Sequence, residues 1–251
     1  MKLFVVTGAS RGMGAALAEQ LLGDAGHTVL CIARRGNDAL AAIAAQSGAT
    51  CEQWQADLAE PIVVAARLQA WLAARDADAF AQATLVNNAA SLTRIGALEN
   101  CSDEELSSAL RVGLEAPLLL TAAFLRATAR WSGERRVLNI SSGLGRRPMA
   151  GQATYCATKA GMDHLSRAVA LDQALVANGA KIVSLAPGVI DTDMQVQLRS
   201  SDGRGFPEQP VFLKLKEAGQ LSSSHDAAAR LVAYLARADF GATPVADVRD
   251  A

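Results

Sequence analysis

Two periods alternate along this chain. Short β-prone apolar runs recur between longer stretches whose apolar residues repeat every three or four positions. Leu3-Phe4-Val5-Val6 is the first such run, and it feeds Thr7-Gly8-Ala9-Ser10-Arg11-Gly12-Met13-Gly14. Residues 15–22 then read as a helix with Leu17, Leu21 and Leu22 on one side. Strands are predicted at 28–33 and 51–55, the latter followed by Asp57-Leu58, with an alanine-rich helix between them over 38–46 that stops near Gly48. A helix over 62–74 precedes a fourth strand, 84–86, that ends at Asn87. Ser102 with Glu105 three residues on makes a capping box. The helix it opens runs through Leu106, Leu110 and Leu114 towards Leu125, with Pro117 bending or splitting it. Strands at 136–140 and 181–186 enclose a long helix over 153–175. A last helix, capped by Ser223 or Ser224, extends through Ala238, and 243–248 supplies a final strand with Pro244 near its start.

This rhythm predicts an α/β fold: a doubly wound parallel sheet of Rossmann type, about seven strands with helices on both faces. The whole chain, 1–251, reads as a single domain without repeat or linker. Residues 195–220 break the pattern. They are rich in Ser, Gly, Arg and Pro, with Phe206, Phe212 and Leu213 as apolar islands, and fit a surface loop or a substrate lid. The lid is the expectation, because long loops inside compact domains are mostly functional or disordered.

The chemistry is concentrated at two places. At the first strand's end, a glycine-rich turn followed by a helix gathers backbone N–H groups and the helix dipole where a pyrophosphate can sit. The glycines follow a three-then-one spacing, and a tight turn that merely needs glycines is the plainer alternative. The second place is Tyr155 and Lys159, four apart and so on one helix face. A lysine ammonium beside a phenol favours the phenolate and brings proton exchange nearer neutral pH. Ser142, thirteen residues upstream, offers a hydroxyl to hold a carbonyl oxygen. Its neighbour Ser141 points to the opposite face of the strand.

Composition narrows the setting. Hydrophobic residues make up 51% of the 251, which suffices for a sheet buried on both faces. A net charge of −1 gives no electrostatic case for nucleic acid or an anionic membrane. Cys31, Cys51, Cys101 and Cys156 are scattered and read as reduced thiols of a cytoplasmic protein. His27, His164 and His225 form no metal-ligand pattern, so no metal is expected. The chain opens directly on a strand, which reads as no signal peptide, and no apolar run is expected to reach the roughly 20 residues that span a bilayer.

Taken together, Thr7 to Gly14, Asn87-Asn88-Ala89-Ala90, Asn139-Ile140-Ser141-Ser142, Tyr155-x-x-x-Lys159 and Pro187-Gly188-Val189-Ile190-Asp191-Thr192 resemble the short-chain dehydrogenases/reductases in order and spacing. The resemblance covers nearly the whole chain. Its C-terminal third is most similar to sepiapterin reductases and bacterial benzil-type diketone reductases, through Asp191-Thr192-Asp193-Met194-Gln195, 215–221 and Asp247-Val248-Arg249-Asp250.

That resemblance implies an enzyme that moves a hydride from NADPH to a ketone, the expected substrate being a vicinal dicarbonyl or a pterin side-chain ketone. A 3-oxoacyl thioester reductase, or a catalytically weak cofactor-binding sensor, are the alternatives. The implied catalytic residues are Ser142, Tyr155 and Lys159. Gly8, Ser10, Arg11, Gly12, Met13 and Gly14 would cradle the pyrophosphate. Asp57 and Leu58 would border the adenine, and Asn88, Ala89 and Ala90 the ribose and nicotinamide side. Pro187, Gly188, Val189, Ile190 and Thr192 would hold the carboxamide. Lys159, with Tyr155, would contact the nicotinamide ribose.

The second strand ends in Arg34-Arg35, where NAD sites carry a carboxylate for the ribose 2′-hydroxyl. Guanidinium forks suit a 2′-phosphate, so NADP is expected, with Arg11 as a third cation. Solvated surface charges are the alternative for these arginines. Leu144, Met149, Met194, Gln195 and Phe206 are candidate substrate-pocket walls. By resemblance Asp247 is a candidate ring anchor, and a surface charge otherwise. Gly113 stands where the resemblance puts an asparagine that distorts its helix and holds a proton-relaying water. A kinked or widened helix is therefore expected at Gly113, with an ordered water between it and Lys159. The helices at 106–125 and 153–175 are expected to pair two copies, giving a homodimer or a tetramer built from it.

Overall fold

The computed structural model describes residues 1–250. One seven-stranded sheet runs through it: β1 (Lys2–Thr7), β2 (His27–Ala33), β3 (Thr50–Gln55), β4 (Gln82–Asn87), β5 (Glu134–Ile140), β6 (Lys181–Ala186) and β7 (Val245–Asp247). The spatial order is β3-β2-β1-β4-β5-β6-β7, with every neighbouring pair parallel. Between β1 and β4 the winding reverses direction. The loops after those two strands therefore part and leave a crevice, the usual ligand position of an open α/β sheet.

The strands read as continuous apolar runs because helices cover both faces. Alternate residues serve opposite cores. Phe4, Val6, Val29 and Cys31 pack beneath α1 (Gly12–Leu21) and α9 (Ser224–Leu235), against Leu17, Leu21 and Leu231. Leu3, Val5, Leu30 and Ile32 face α3 (Pro61–Ala73) and α5 (Ala116–Ala127), against Leu68, Leu72, Leu120 and Phe124. Each such side chain, fully buried, stabilises the fold by about 1.5–3 kcal/mol relative to exposure. Asn37 caps α2 (Asp38–Ser47), and Gly48 ends it in the left-handed conformation at φ 80°.

The predicted elements are present, with ends shifted by a few residues, and three expectations need correction. The helix expected over 102–125 is α4 (Asp103–Leu110), a π-turn over Arg111–Glu115, then α5. The widening falls at Gly113, as expected there. Pro117 causes no break; it lies in the first turn of α5, where a missing N–H costs nothing. This merged stretch, Asp103–Ala127, is also long and apolar enough to cross a membrane, contrary to the expectation that no run would be. Its apolar side instead meets the sheet and α3 through Ala116, Leu120, Ala123 and Phe124.

The third correction concerns 195–220, which is no irregular loop. It is mostly two helices, α7 (Asp193–Arg199) and α8 (Gln209–Glu217). Met194 and Leu198, one turn apart on α7, and Phe212 on α8 share an apolar cluster with Phe206 between them. Pro210 sits in the first turn of α8, where its fixed φ starts a helix. The long α6 (Ala153–Ala174) crosses the sheet at β5 and β6 and carries Tyr155 and Lys159.

Candidate active site

The crevice is built first from backbone. After β1 the chain turns through Gly8 at φ 70° and Gly12 at φ 58°, a left-handed conformation that favours glycine. A Cβ on Gly14 would stand 2.2 Å from the Gly8 carbonyl oxygen. The turn thus needs its glycines for closeness as well as for shape. α1 begins at Gly12 without a side-chain cap, so no side chain occupies its first N–H groups. From the β4 side, the Asn88 and Ala89 amides donate to Thr7 Oγ1 at 2.9 and 3.0 Å, and Asn88 Nδ2 donates to the Thr7 carbonyl at 2.9 Å. Thr7, absent from the predicted site residues, therefore locks the two lips of the crevice together. The signals for it in the sequence are its place at the strand end and at the head of the Thr7 to Gly14 stretch. The Asn88 side chain spends its amide on this grip.

Met13 is buried and Ser10 half-buried in the turn, and Ala90 lies exposed beyond β4. Leu58 is sunk in the core, while Asp57 is exposed and accepts from the Ala59 amide at 2.9 Å. Arg34 and Arg35 project exposed from the end of β2, with no carboxylate partner among the described residues. Arg11 differs from expectation. Its guanidinium is engaged by Asp193 of α7 at 2.6 Å, so it ties the glycine turn to the 187–192 side instead of standing free as a third cation. Thr192 and Gly12 also approach each other there, an ideal Gly12 Cβ lying 3.9 Å from Thr192 Cγ2. Within that segment Pro187 and Ile190 are buried, Val189 is half-buried, and Gly188 turns at φ 85°.

The reactive group gathers where β5 ends. Ser141 is buried with its hydroxyl unpartnered, and Ser142, half-buried, accepts from the Leu144 amide at 3.2 Å. Lys159 Nζ donates to the Ile140 carbonyl at 2.7 Å and lies 5.5 Å from the Tyr155 ring centroid. The three predicted catalytic residues are thus brought together by one helix and one strand end. Their acidities differ from expectation. Burial pushes Tyr155 up to about 12, the Ser142 hydroxyl drawing it partly back. Burial also pulls Lys159 down to about 8 against the opposing pull of Asp163. Desolvation outweighs the lysine's influence on the phenol.

The predicted pocket walls divide. Leu144, Met149, Met194 and Phe206 meet in one cluster with Ile95, Cys156, Leu198 and Phe212, next to Ser142 and Tyr155 in the chain. Phe206 is fully buried and stacks on Phe212 at 5.5 Å. Gln195 is buried outside that cluster and accepts from Arg199 at 3.4 Å. Asp247 is neither a free anchor nor a surface charge. It is 8% exposed, and its carboxylate is held by Arg249 at 2.6 and 2.8 Å, with Arg146 3.9 Å away. The described residues contain no His/Cys/Asp/Glu cluster fit for a metal.

A glycine-lined crevice at the switch point, beside a serine–tyrosine–lysine group, defines a dinucleotide-dependent oxidoreductase site. Comparison with known proteins agrees: the family model described as short chain dehydrogenase matches residues 2–203. The chain belongs to the short-chain dehydrogenase family, oxidoreductases that use a nicotinamide cofactor. It is 34% identical to benzil reductases ((S)-benzoin forming) of Bacillus cereus, over 89% of each chain, and of Bacillus subtilis, over 94% of this chain and 93% of that one. It is 31% identical to the 3-oxoacyl-[acyl-carrier-protein] reductase of Escherichia coli, over 94% of this chain and 89% of that one. A crystal structure of a short-chain dehydrogenase/reductase from Burkholderia vietnamiensis superposes with TM-score 0.64 at 36% identity, covering 99% of this chain and 97% of that one.

Proposed function

We propose that this protein is an NADPH-dependent carbonyl reductase acting on vicinal diketones. The observation that carries the cofactor choice is the pair Arg34 and Arg35, exposed and without carboxylate partners among the described residues, at the strand end where a ribose 2′-substituent lies. Forked guanidinium donors favour a phosphate there, and no acid repels it. The bare α1 N-terminus and the tightly packed glycines fit a pyrophosphate. The diketone reading is supported by the likeness to two benzil reductases.

When bound, the nicotinamide supplies the hydride that reduces the carbonyl carbon. Ser142 holds the carbonyl oxygen by a hydrogen bond. Tyr155 Oη passes its proton to that oxygen as the C–O π bond becomes a lone pair, leaving an alcohol and a phenolate. A phenol held near 12 is a weak acid in the resting site, so the proton leaves only as negative charge builds on the substrate oxygen. The Lys159 ammonium, fixed on the Ile140 carbonyl, then stabilises the phenolate through space. Met194 and Leu144, half-buried against the Phe206–Phe212 pair, offer apolar surface to an aryl or alkyl diketone, and α7 with α8 serves as the lid.

A second reading, reduction of 3-oxoacyl thioesters, rests on the 31% identity to such a reductase. A pterin ketone is less favoured, because Arg249 already occupies the Asp247 carboxylate. The deciding experiment is turnover of benzil, isatin, sepiapterin and an acetoacetyl thioester with NADPH and with NADH, in the unmodified protein and in Arg34→Asp. The proposal requires diketone turnover with NADPH preferred, and an Arg34→Asp variant that loses NADPH far more than NADH. Equal use of the two cofactors by the unmodified protein overturns the cofactor assignment. Thioester turnover without diketone turnover overturns the substrate assignment.

A further inference from the structure

Eight residues beyond Tyr155 and four beyond Lys159, the same face of α6 carries Asp163. It is 1% exposed, an unusual position for a carboxylate. Ser184 Oγ of β6 donates to its Oδ1 at 2.7 Å. The other oxygen, Oδ2, is buried without a hydrogen bond and faces Arg146 Nε at 3.5 Å. Above it sits the turn Gly143–Gly145 that follows Ser142. A Cβ on Gly145 would lie 2.8 Å from Asp163 Oδ2 and 3.0 Å from the Lys159 carbonyl oxygen. The turn is thus pressed onto the carboxylate and the lysine backbone together.

Arg146 continues outward. Its Nη1 is 3.9 Å from Asp247 Oδ2 of β7, it donates to the Ala246 carbonyl at 2.7 Å, and Asp247 is clamped by Arg249. Charges alternate along this array: Lys159, Asp163, Arg146, Asp247, Arg249. Ser184 on β6 and Arg146 on the turn after β5 meet Asp163 directly, and Lys159 stands one turn away on the same face of its own helix. Asp247 on β7 faces Arg146 from the far side. Beyond these, Lys159 faces Tyr155 on α6 and the Ile140 carbonyl on β5.

A buried carboxylate with one oxygen left unbonded is costly unless a charge faces it. Arg146 is a partial answer, since its side chain is 32% exposed and shared with Asp247. We propose that Asp163 is a positioning residue: the buried carboxylate holds Lys159 in its charged form against the end of β5, and Arg146 moderates that hold. The inference rests on the assignment of Lys159 to the reacting group. It adds to that assignment the source of the ammonium's charge in a site that otherwise disfavours it.

The test combines a pH profile with a direct titration of Lys159, so that failure of the enzymatic reading and failure of this one are separable. The chain has five lysines, so 13Cε-labelled lysine resolves Lys159 by NMR, with Lys159→Gln fixing its assignment. In Asp163→Asn, which keeps the shape and an acceptor for Ser184, the Lys159 titration and the alkaline limb of kcat/KM move to lower pH by about one unit. In Arg146→Gln both move to higher pH. Ser184→Ala, which removes the hydrogen bond but leaves the charge, lowers Tm and leaves the Lys159 titration in place. Unchanged Lys159 titration in Asp163→Asn overturns the proposal, whatever that variant's stability or turnover. Should the parent protein reduce no carbonyl compound, the NMR titration alone decides.

Discussion

Adding a methyl group at Gly113 gives a sharp test of how the π-turn meets α6. A Cβ built there lies 2.9 Å from Thr158 Cγ2, 3.0 Å from Thr158 Cβ and 3.2 Å from Thr158 Oγ1. Carbon atoms in contact prefer about 3.5–4.0 Å, so the overlap is roughly half an ångström or more. Thr158 cannot easily yield. It is 3% exposed, β-branched, and its hydroxyl donates to the Tyr155 carbonyl at 2.8 Å. Overpacking of this kind costs about 1–3 kcal/mol, while replacing glycine by alanine in a helix returns about 1 kcal/mol.

Gly113→Ala is therefore expected to destabilise by about 1 kcal/mol net, a fall in Tm of about 2–4 °C for a chain of this size. In a Thr158→Ala background the Cγ2 and Oγ1 contacts vanish and only the Cβ contact stays tight. There the same substitution should be neutral, giving a coupling of about 1 kcal/mol in a double-mutant cycle. Gly113→Asn, which is larger, should cost more and also displace the segment between Tyr155 and Lys159. Its turnover falls, yet by less than in Tyr155→Phe, because the reacting hydroxyl remains. The assay is urea unfolding of the four proteins of the cycle, with diketone turnover alongside. If Gly113→Ala were as stable as the parent, or if the two sites were additive, the contact with Thr158 would not be what requires glycine.

Tyr155→Phe should abolish most turnover while NADPH binding, read by fluorescence, stays near that of the parent, and Lys159→Ala should damage both; near-normal turnover of Tyr155→Phe refutes the assigned proton donor. In the cofactor-free protein, burial holds both tyrosines, Tyr155 and Tyr234, above their ordinary value, Tyr155 at about 12. The unfolded chain then gives up protons near pH 10 that the native state keeps, so stability from these groups falls as pH rises from about 10 towards 12. A spectrophotometric titration showing a tyrosine with a midpoint near 10 in the folded protein contradicts this. Leu171, Leu175 and Val176 at the end of α6 are 72%, 88% and 47% exposed, and Leu118 of α5 is 43% exposed. These faces predict a symmetric dimer, checked by light scattering at micromolar concentration, with Leu171→Asp weakening it and a monomeric parent refuting it.

The chain's own pattern determined the strand–helix order, the glycine turn and the Tyr155–Lys159 face. Each depends on local periodicity, and a period of 2 or 3.6 is written in consecutive residues. The widening at Gly113 was legible only through the family resemblance, which puts a helix-distorting residue at that position. Asp163 was within reach too, because it continues the Tyr155–Lys159 spacing by one more turn; its significance was not, because burial is not a local property. Tertiary structure alone decided that Asp163 meets Ser184 and Arg146, that Asp247 is already clamped by Arg249, and that Arg11 reaches across to Asp193. Asp163 with Ser184 and Arg146, and Arg11 with Asp193, lie tens to hundreds of residues apart and carry no shared period, while Arg249, only two residues from Asp247, meets it because the fold buries that carboxylate. It also decided that 195–220 is mostly helical. Its apolar residues are too sparse to announce helices, and they form them because Met149, Leu144 and Cys156 provide a surface on which Met194, Leu198, Phe206 and Phe212 can be buried together. The acidities of Tyr155 and Lys159 belong to the same class, since the spacing of a lysine and a tyrosine fixes their proximity, but the desolvation that outweighs it comes from the whole fold.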